Sequence, residues 1–546
     1  MKEFLNPNSA HLYLLIIFSL INATLIIMCS YKYLQVLQLS MYHARGVFSW
    51  MKESKNKYFS NMLICCITSF AITLILNLVL MPFSFGIYIE YISIIIYFGF
   101  LVYFILNNKR KPLKKPLKYT KRMNRLCVFM WFVALAVTFG LFLVFINNNI
   151  LRFLLVTLSP LLLPILTVVC NWIMYPLELI IKEVYIFIAK QKLKKYDHLI
   201  KIGITGSYGK TSTKYILRTI LSEKYNVLIT PHSFNTPMGI VKVLRNMLQP
   251  NHQIFIAEMG ATYPGDIKYM CNFVKPRYGI ITNVGNQHLE TFKTLENIKK
   301  TKGELADAIP ENGFCVFNLS NIESEDLYTN AKCNKIYTKI NDDNAFVTAK
   351  DIDVDKNGTN FTCKIQGKKE FKVNMKLLGK HNIQNVLEAV AVAYKLGLTV
   401  EQIKMGLSKL KPVKHRLELI QLENGAILLD DSFNSNIVGT KSALDVLGKF
   451  KRKNKIVITP GLVELGNREM IENLKYGKNI SAVATKVYIV NEVHKNIITK
   501  GLIDNGFNKN NIVYVDSFKT AWEMVSKNLS KDDVILVEND LPDNYV

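Results

Sequence analysis

Hydrophobic positions along this chain follow two different rhythms, and the change comes near residue 180. Before it, apolar residues run in long unbroken blocks. After about residue 199 they alternate as short strands and amphipathic helices, the pattern of a parallel α/β sheet. Five blocks are long enough to cross a bilayer, which takes roughly 20 helical residues. They cover about 11–30, 60–82, 86–106, 126–146 and 151–172, and the second and third are close enough to form a helical hairpin. Pro160 and Pro164 are expected to kink the fifth, as membrane helices tolerate where neighbours satisfy the freed carbonyls. Residues 173–196 read as an amphipathic surface helix or a plain linker helix.

Charge assigns these blocks an orientation. The segment after the first carries Lys32, Arg45, Lys52, Lys55 and Lys57; the loop after the third carries Lys109, Arg110, Lys111, Lys114, Lys115, Lys118, Lys121, Arg122 and Arg125. The loop near Phe83 has no Lys or Arg, and the one near Asn148 has only Arg152. The positive-inside rule then sets the N-terminus outside and everything after the fifth block in the cytoplasm, where ATP is available. The net charge of +26 is thus read as membrane-flanking lysine rather than a nucleic-acid surface. Glu90, near one end of the third block, is the charged residue closest to a span interior, so a transporter lacks its usual marker. The nine cysteines form no CxxC pair, which argues against a zinc ribbon and a disulfide framework.

In the second half, the strand-like run IKIGIT leads into Gly206-Ser207-Tyr208-Gly209-Lys210-Thr211-Ser212, and a helical run follows. A glycine-lined turn between strand and helix lets backbone N–H groups and the helix N-terminus face phosphates. Lys210 would reach the β- and γ-phosphates and the Thr211 hydroxyl would bind Mg²⁺. Ile204 stands where the longer phosphate-loop motif has its first glycine.

TGSYGKTS resembles the shortened phosphate loop of the Mur ligase family, and further motifs follow in that family's order. They are NTPMG at 235–239, AEMGA with Glu258, TNVGNQHLE with Asn283 and His288, and KGELADAIPENG with Lys302. LLGKHNIQNVLEA with Asn382 and Asn385, PVKHRLE with Arg416, and DDSFNSN with Asp431 complete the set. VITPGLVELG resembles the D-alanyl-D-alanine-adding type in particular. The resemblance covers about 199–546 and implies an ATP-dependent ligase that activates a carboxylate as an acyl phosphate and joins it to an amine.

The resemblance also implies roles. Gly206 to Ser212, Asn283, Asn382, Asn385, Arg416 and Asp431 would bind the nucleotide, with both asparagines of the LLGKHNIQN run on adenine, Arg416 on phosphates and Asp431 on ribose. Asp430 is the alternative to Asp431, and a helix-capping role would account for one of the two asparagines. Thr211, Glu258 and His288 would hold Mg²⁺. Lys302 would act carbamylated or unmodified, unless it is only a solvated helix-face lysine. Lys210, Glu258, His288, Lys302 and Arg416 form the expected catalytic set.

The expected organisation is a membrane domain at 1–196, a central ATP-binding domain at 197–412 with a basic β-rich insertion near 336–376, and a Rossmann-like domain at 413–546. The last has strands near 426–430, 455–459, 486–490, 512–515 and 533–537. Expected partners are ATP, a carboxylate-bearing cell-wall precursor, an amino-acid or dipeptide donor and membrane lipid, with no nucleic acid. The chain departs from the family in three places, the first two of which bear on the substrate. The apolar block stands where a uridine-nucleotide-binding domain is usual, the tail from Glu538 is acidic, and Ile437 replaces a common proline. A UDP-muramoyl tripeptide receiving D-alanyl-D-alanine is the leading expectation, and a lipid-linked or envelope-polymer acceptor is the rival. A non-catalytic ATP-binding regulator is the alternative from another class; it would have lost residues that this chain retains.

Overall fold

The computed structural model describes residues 7–53, 57–80, 86–108, 116–144, 149–287, 289–355, 358–433 and 436–538. His288 and the acidic tail beyond Glu538 lie outside them. The chain divides into two compact units with the boundary between Lys182 and Glu183.

The first unit is helical: α1 (Pro7–Cys29), α2 (Tyr31–Leu39), α3 (Ala44–Glu53), α4 (Lys57–Leu80), α5 (Gly86–Asn108), α6 (Lys121–Val144), α7 (Asn149–Leu158) and the start of α8 (Leu163–Lys194). Among the described residues four stretches are long and apolar enough to cross a membrane, Tyr58–Leu76, Tyr91–Asn108, Lys121–Val144 and Leu155–Lys194. A fifth qualifies only if α1 and α2, bent by 44°, count as one span. Several buried polar groups in this unit pair with each other, as apolar surroundings favour. Asn22 Nδ2 donates to Thr138 Oγ1 and Tyr97 O–H donates to Asn22 Oδ1, both at 3.0 Å.

The fifth expected span differs from its forecast. A 3-10 turn at Ser159–Leu162 around Pro160 tightens it locally within the stretch Leu155–Lys194, and the expected surface helix at 173–196 is no separate element. It is the greater part of the 32-residue α8. Pro160 removes a donor and so perturbs the α-helical bonding there, whereas Pro164 falls in the first turn of α8, where that donor is not needed.

In the second unit nine strands form one sheet: β1 (Ile200–Thr205), β2 (Val227–Ile229), β3 (Ile254–Glu258), β4 (Tyr278–Ile281), β5 (Phe314–Asn318), β6 (Lys335–Thr338), β7 (Val347–Asp355), β8 (Gly358–Ile365) and β9 (Phe371–Met375). Their order is β2-β3-β1-β4-β5-β6-β7-β8-β9. Pairing is parallel as far as β7, and β8 and β9 are antiparallel. The 336–376 segment, expected as an insertion, forms the outer part of the same sheet. After β1 the chain goes out to β2 and β3, then crosses to β4. That reversal is where open α/β sheets bind ligands, at the carboxyl ends of their strands.

Helices cover both faces because the strands are apolar on both. One face packs on α9 (Lys210–Leu221), with α15 (Lys380–Lys395) and α16 (Val400–Ser408) beside it. The other packs on α10 (Pro237–Met247), α11 (Asp266–Val274) and α13 (Leu295–Asp307), joined by Ile186, Ala189 and Leu193 from the end of α8. Short α12 (Leu289–Phe292) and α14 (Ile322–Asn330) lie in connections.

A second sheet orders β10 (Glu418–Gln421), β11 (Ile427–Asp431), β15 (Asp533–Glu538), β12 (Asn454–Thr459), β13 (Lys486–Val490) and β14 (Ile512–Val515). All pairs are parallel except β10 with β11. Its helices are α17 (Ile437–Lys449), α18 (Glu469–Ser481) and α19 (Lys495–Ile503) on one face and α20 (Phe518–Ser526) on the other.

One buried carboxyl joins α9, α15 and β5. Glu388 accepts from Thr213 Oγ1 at 3.0 Å and from Asn318 Nδ2 at 2.8 Å. Burial pushes it up to about 8, against the pull of both hydrogen bonds. The folded chain therefore keeps a proton that the unfolded chain sheds near 4.5, so Glu388 makes stability fall as pH rises from about 4.5 to 8. Glu388→Gln removes that loss. Its thermal unfolding midpoint is expected to exceed the wild type's at pH 8, with the gap closing by about pH 5; a gap that widens toward acid would contradict the assignment.

Candidate functional site

The turn after β1 is shaped by two glycines. Gly206 and Gly209 have φ of 148° and 85°, values that side-chain-bearing residues rarely adopt. A Cβ on Gly209 would also come within 2.5 Å of Asn385 Oδ1, so α15 approaches the turn where only glycine fits. The loop after β4 braces the turn from beneath. The Asn283 carbonyl accepts from the N–H groups of Ser207 and Tyr208, at 2.8 and 3.3 Å. Ser207 Oγ donates to the Gly285 carbonyl at 2.8 Å and the Tyr208 hydroxyl to the Asn286 carbonyl at 2.6 Å. Two N–H groups expected on phosphates are thus spent inside the turn. The first-turn amides of α9, which have no partner within the helix, remain for an anion.

Lys210 points back into the turn as well. Its ammonium donates to the carbonyls of Gly206 and Ser207 at 2.7 and 3.0 Å, and burial pulls it down to about 8. Thr211 reaches the end of β3, where its hydroxyl lies 3.1 Å from both oxygens of Glu258. Glu258, 1% exposed, also accepts from Asn235 Nδ2 at 3.2 Å, and Lys214 Nζ stands 2.7 Å from its Oε2. Lys214 also donates to the His232 carbonyl. The threonine of NTPMG caps α10, where Thr236 Oγ1 accepts from Gly239 N–H and Pro237 opens the helix.

Magnesium takes hard oxygen donors, commonly one or two carboxylates with the remaining places on phosphate and water. The Thr211 hydroxyl and Glu258 carboxylate suit an ion held in that way. No group of three or more His, Cys, Asp or Glu gathers among the described residues to hold a metal by protein ligands alone.

Beside the turn lies a cavity of about 320 Å³. Tyr208, Gly209, Ser212, Asn283 and Asn385 border it from the first sheet's side, and Arg416, Asp431 and Phe433 from the second's. Arg416 lies between two non-glycine residues in the left-handed region, His415 and Leu417, at φ of 63° and 51°. Strain of that kind persists where surrounding contacts impose it. Leu417 N–H donates to Asp431 Oδ1 at 2.9 Å, and the Arg416 guanidinium lies 4.6 Å from the Phe433 ring centre. Burial pushes Asp431 above the usual carboxylate range while Arg416 pulls it back. Asp430 does not border the cavity; it bonds His415 Nδ1 at 2.7 Å and Ser432 Oγ at 2.6 Å.

Two expectations need correction. Asn382 is not a helix cap, because α15 begins at Lys380 with Gly379 as its N-cap. Asn382 donates instead to the Leu378 carbonyl at 2.8 Å and accepts from Asn385 Nδ2 at 3.3 Å. Lys302 is not a solvated helix-face lysine. It is 3% exposed on α13 with its ammonium 5.7 Å from the Phe292 ring centre, and burial, then the Lys210 charge, pull it down to about 7. Among the predicted residues, Gly206, Ser207, Lys210, Thr211, Glu258, Lys302 and Asn382 do not border the cavity. Sequence reasoning passed over Lys214 and His381. Lys214 stands one helical turn beyond Lys210, a signal that was available. His381 borders the cavity and bonds Ser442 Oγ at 2.8 Å, joining α15 to α17, and burial pulls it down to about 4.

Residues 204–393 match the Mur ligase middle domain and residues 415–538 the glutamate ligase domain of Mur ligases. UDP-N-acetylmuramoyl-tripeptide--D-alanyl-D-alanine ligase of Escherichia coli is 32% identical over 282 residues, 52% of this chain and 62% of the relative. The chain thus spans less than two thirds of that relative's length. The ligase of the same name from Buchnera aphidicola of Acyrthosiphon pisum is 31% identical over 310 residues, 56% of this chain and 67% of its own. The crystal structure of MurF ligase from Thermotoga maritima in complex with ADP superposes with a TM-score of 0.58 at 25% identity, covering 66% of this chain and 80% of that one. The turn, the cavity wall and, apart from the first residues of β1, both sheets fall within the matched ranges, and the chain belongs to the Mur ligase family.

Proposed function

We propose that the chain is an ATP-dependent ligase that activates a carboxylate as an acyl phosphate and joins it to an amine. The substrates proposed are a UDP-N-acetylmuramoyl tripeptide and D-alanyl-D-alanine, in agreement with the names of its relatives. The observation that carries this reading is the convergence of phosphate turn, Arg416 and Asp431 on one cavity, beside the buried Thr211–Glu258 contact.

Catalysis in this reading is positioning and charge neutralisation. Gly206 to Ser212 and the first turn of α9 cradle the phosphates. Lys210 swings from the turn's carbonyls to the β- and γ-phosphates, and Arg416 meets them from the second sheet. Asp431 takes the ribose and Asn385 the base, with Asn382 holding Asn385 from behind through their hydrogen bond and Asn283 bordering the nucleotide cavity. Thr211 and Glu258, with His288, would hold Mg²⁺, which supplies positive charge against the phosphate oxygens. Lys302, held near 7, is an amine with a large neutral fraction, the form that carbamylation needs.

Residues 1–196 are proposed as a multi-pass domain of a bacterial cytoplasmic membrane, with 197–412 and 413–546 as the ATP-binding and closing domains in the cytoplasm. The four apolar stretches and the lysine-rich loops favour this. The same stretches favour a second reading, in which the acceptor is lipid-linked or another envelope polymer.

Full-length protein in detergent, given Mg-ATP, D-alanyl-D-alanine and either acceptor, is expected to release phosphate only when acceptor and amine are both present. Product mass identifies the acceptor. Lys210→Ala is expected to slow release by about 10²–10³. Undiminished release from that variant, or release that ignores the acceptor, would contradict the reading. Lys214→Met is expected to lower kcat by roughly 10² with KM for ATP within about threefold, and Lys214→Arg to recover part of the loss.

A further inference from the structure

The last turns of α8, from Glu183 on, belong to the second unit and pack between α10 and α11. Ile186, Ala189 and Leu193, three and four residues apart, are the side buried in that unit's core. On one flank the Arg245 guanidinium of α10 lies 4.3 Å from the Tyr185 ring centre, and Lys192 Nζ donates to the Arg245 carbonyl at 2.9 Å. On the other, the Tyr269 hydroxyl of α11 donates to Glu183 Oε1 at 2.5 Å.

A helix held in this way turns one side outward, and in a soluble enzyme that side is polar. Here it is not. Val184, Phe187 and Ile188 are 49%, 59% and 43% exposed and form a stripe along the side opposite the buried one. Scattered exposed apolar residues are ordinary, whereas a continuous patch marks an interaction. Cations ring this one. Lys190, Lys194 and Lys195 are exposed at the end of the helix, and Lys242 and Arg245 are exposed on α10 beside it. Glu183, the acidic residue of these turns, is engaged by Tyr269.

Helix length indicates what covers the stripe. The 32 residues of α8 span about 48 Å, against about 30 Å for the hydrocarbon of a bilayer. Charge first enters the helix at Glu178, which Arg125 holds through two hydrogen bonds of 2.7 Å, so the turns from Glu183 run on past the hydrocarbon. An apolar stripe with lysines around it at that depth suits the headgroup boundary, with acyl chains on one side and phosphates on the other.

We propose that the outward stripe of α8 beds into the headgroup boundary of an anionic bilayer, with Lys190, Lys194 and Lys195 on lipid phosphates. The assignment rests on the reading of residues 1–196 as a membrane domain. It adds a lipid-binding surface to the unit that carries the phosphate turn.

A photoreactive side chain tests it. Full-length protein with Phe187→p-benzoylphenylalanine is reconstituted in vesicles of phosphatidylcholine and phosphatidylglycerol in about equal parts, irradiated, and its adducts are weighed. Two further proteins carry the probe in place of Phe132, 56% exposed on α6, and Phe518, 47% exposed on α20. Lipid adducts are expected at 187 and 132, with about tenfold less at 518. Vesicles of phosphatidylcholine alone are expected to lower the adduct at 187 about tenfold and leave that at 132 within about twofold. Ile188 takes the probe if the Phe187 variant does not fold. Lipid at 132 with none at 187, or an adduct at 187 to a second copy of the chain, would overturn the assignment and leave the membrane domain standing. Equal yields at 187 and 518, or a yield at 187 indifferent to phosphatidylglycerol, would overturn it as well. No lipid adduct at 132 would bring down the membrane-domain reading, and this assignment with it.

Discussion

Two opposite charges buried together at the end of β3 hold the site in shape. Lys214 and Glu258 are 0% and 1% exposed, and neither charge is tolerable there without the other, since a buried ion left alone is strongly unfavourable. Their contact fixes the second turn of α9 to β3, and the Thr211 hydroxyl fixes the first turn to the same carboxylate. The helix N-terminus, with its amides and its positive dipole end, is therefore aimed by a side-chain network as well as by the glycine turn. The Asn283 loop supports the turn from below, and the Glu388 hydrogen bonds carry the same rigidity from α9 to α15 and β5.

Against this rigid half stands a wall borne on the second sheet. Arg416 is presented from a short segment with two strained residues, and Asp431 steadies that segment through Leu417 N–H. His381 and Ser442 join the two sides where α15 meets α17. A site assembled from two sheets has its charges complete only when both are in place, the arrangement that lets closure gate turnover.

Much of this was legible in the chain itself. Strands of continuous Ile, Val and Phe, such as β3 and β15, are buried on both faces and announce themselves without tertiary information. The phosphate turn is equally local, because positive φ at Gly206 and Gly209 is a property of glycine. What stayed hidden depends on packing. The charge of Lys214 suggests solvent, and only Glu258, 44 residues away, makes its burial tolerable. Whether Pro160 would kink or only tighten its helix, and whether 336–376 would stand apart or extend the sheet, were likewise decided by neighbours the local sequence does not contain.

The central claim is that the turn before α9 presents the γ-phosphate of ATP to a carboxylate, and oxygen transfer tests it directly. An acceptor whose terminal carboxylate carries ¹⁸O is incubated with Mg-ATP, the amine and the full-length protein, and the released phosphate is analysed by mass. Passage through an acyl phosphate predicts one ¹⁸O in each phosphate released in step with amide formation. Phosphate that carries only solvent or ATP oxygen while amide accumulates would contradict the account.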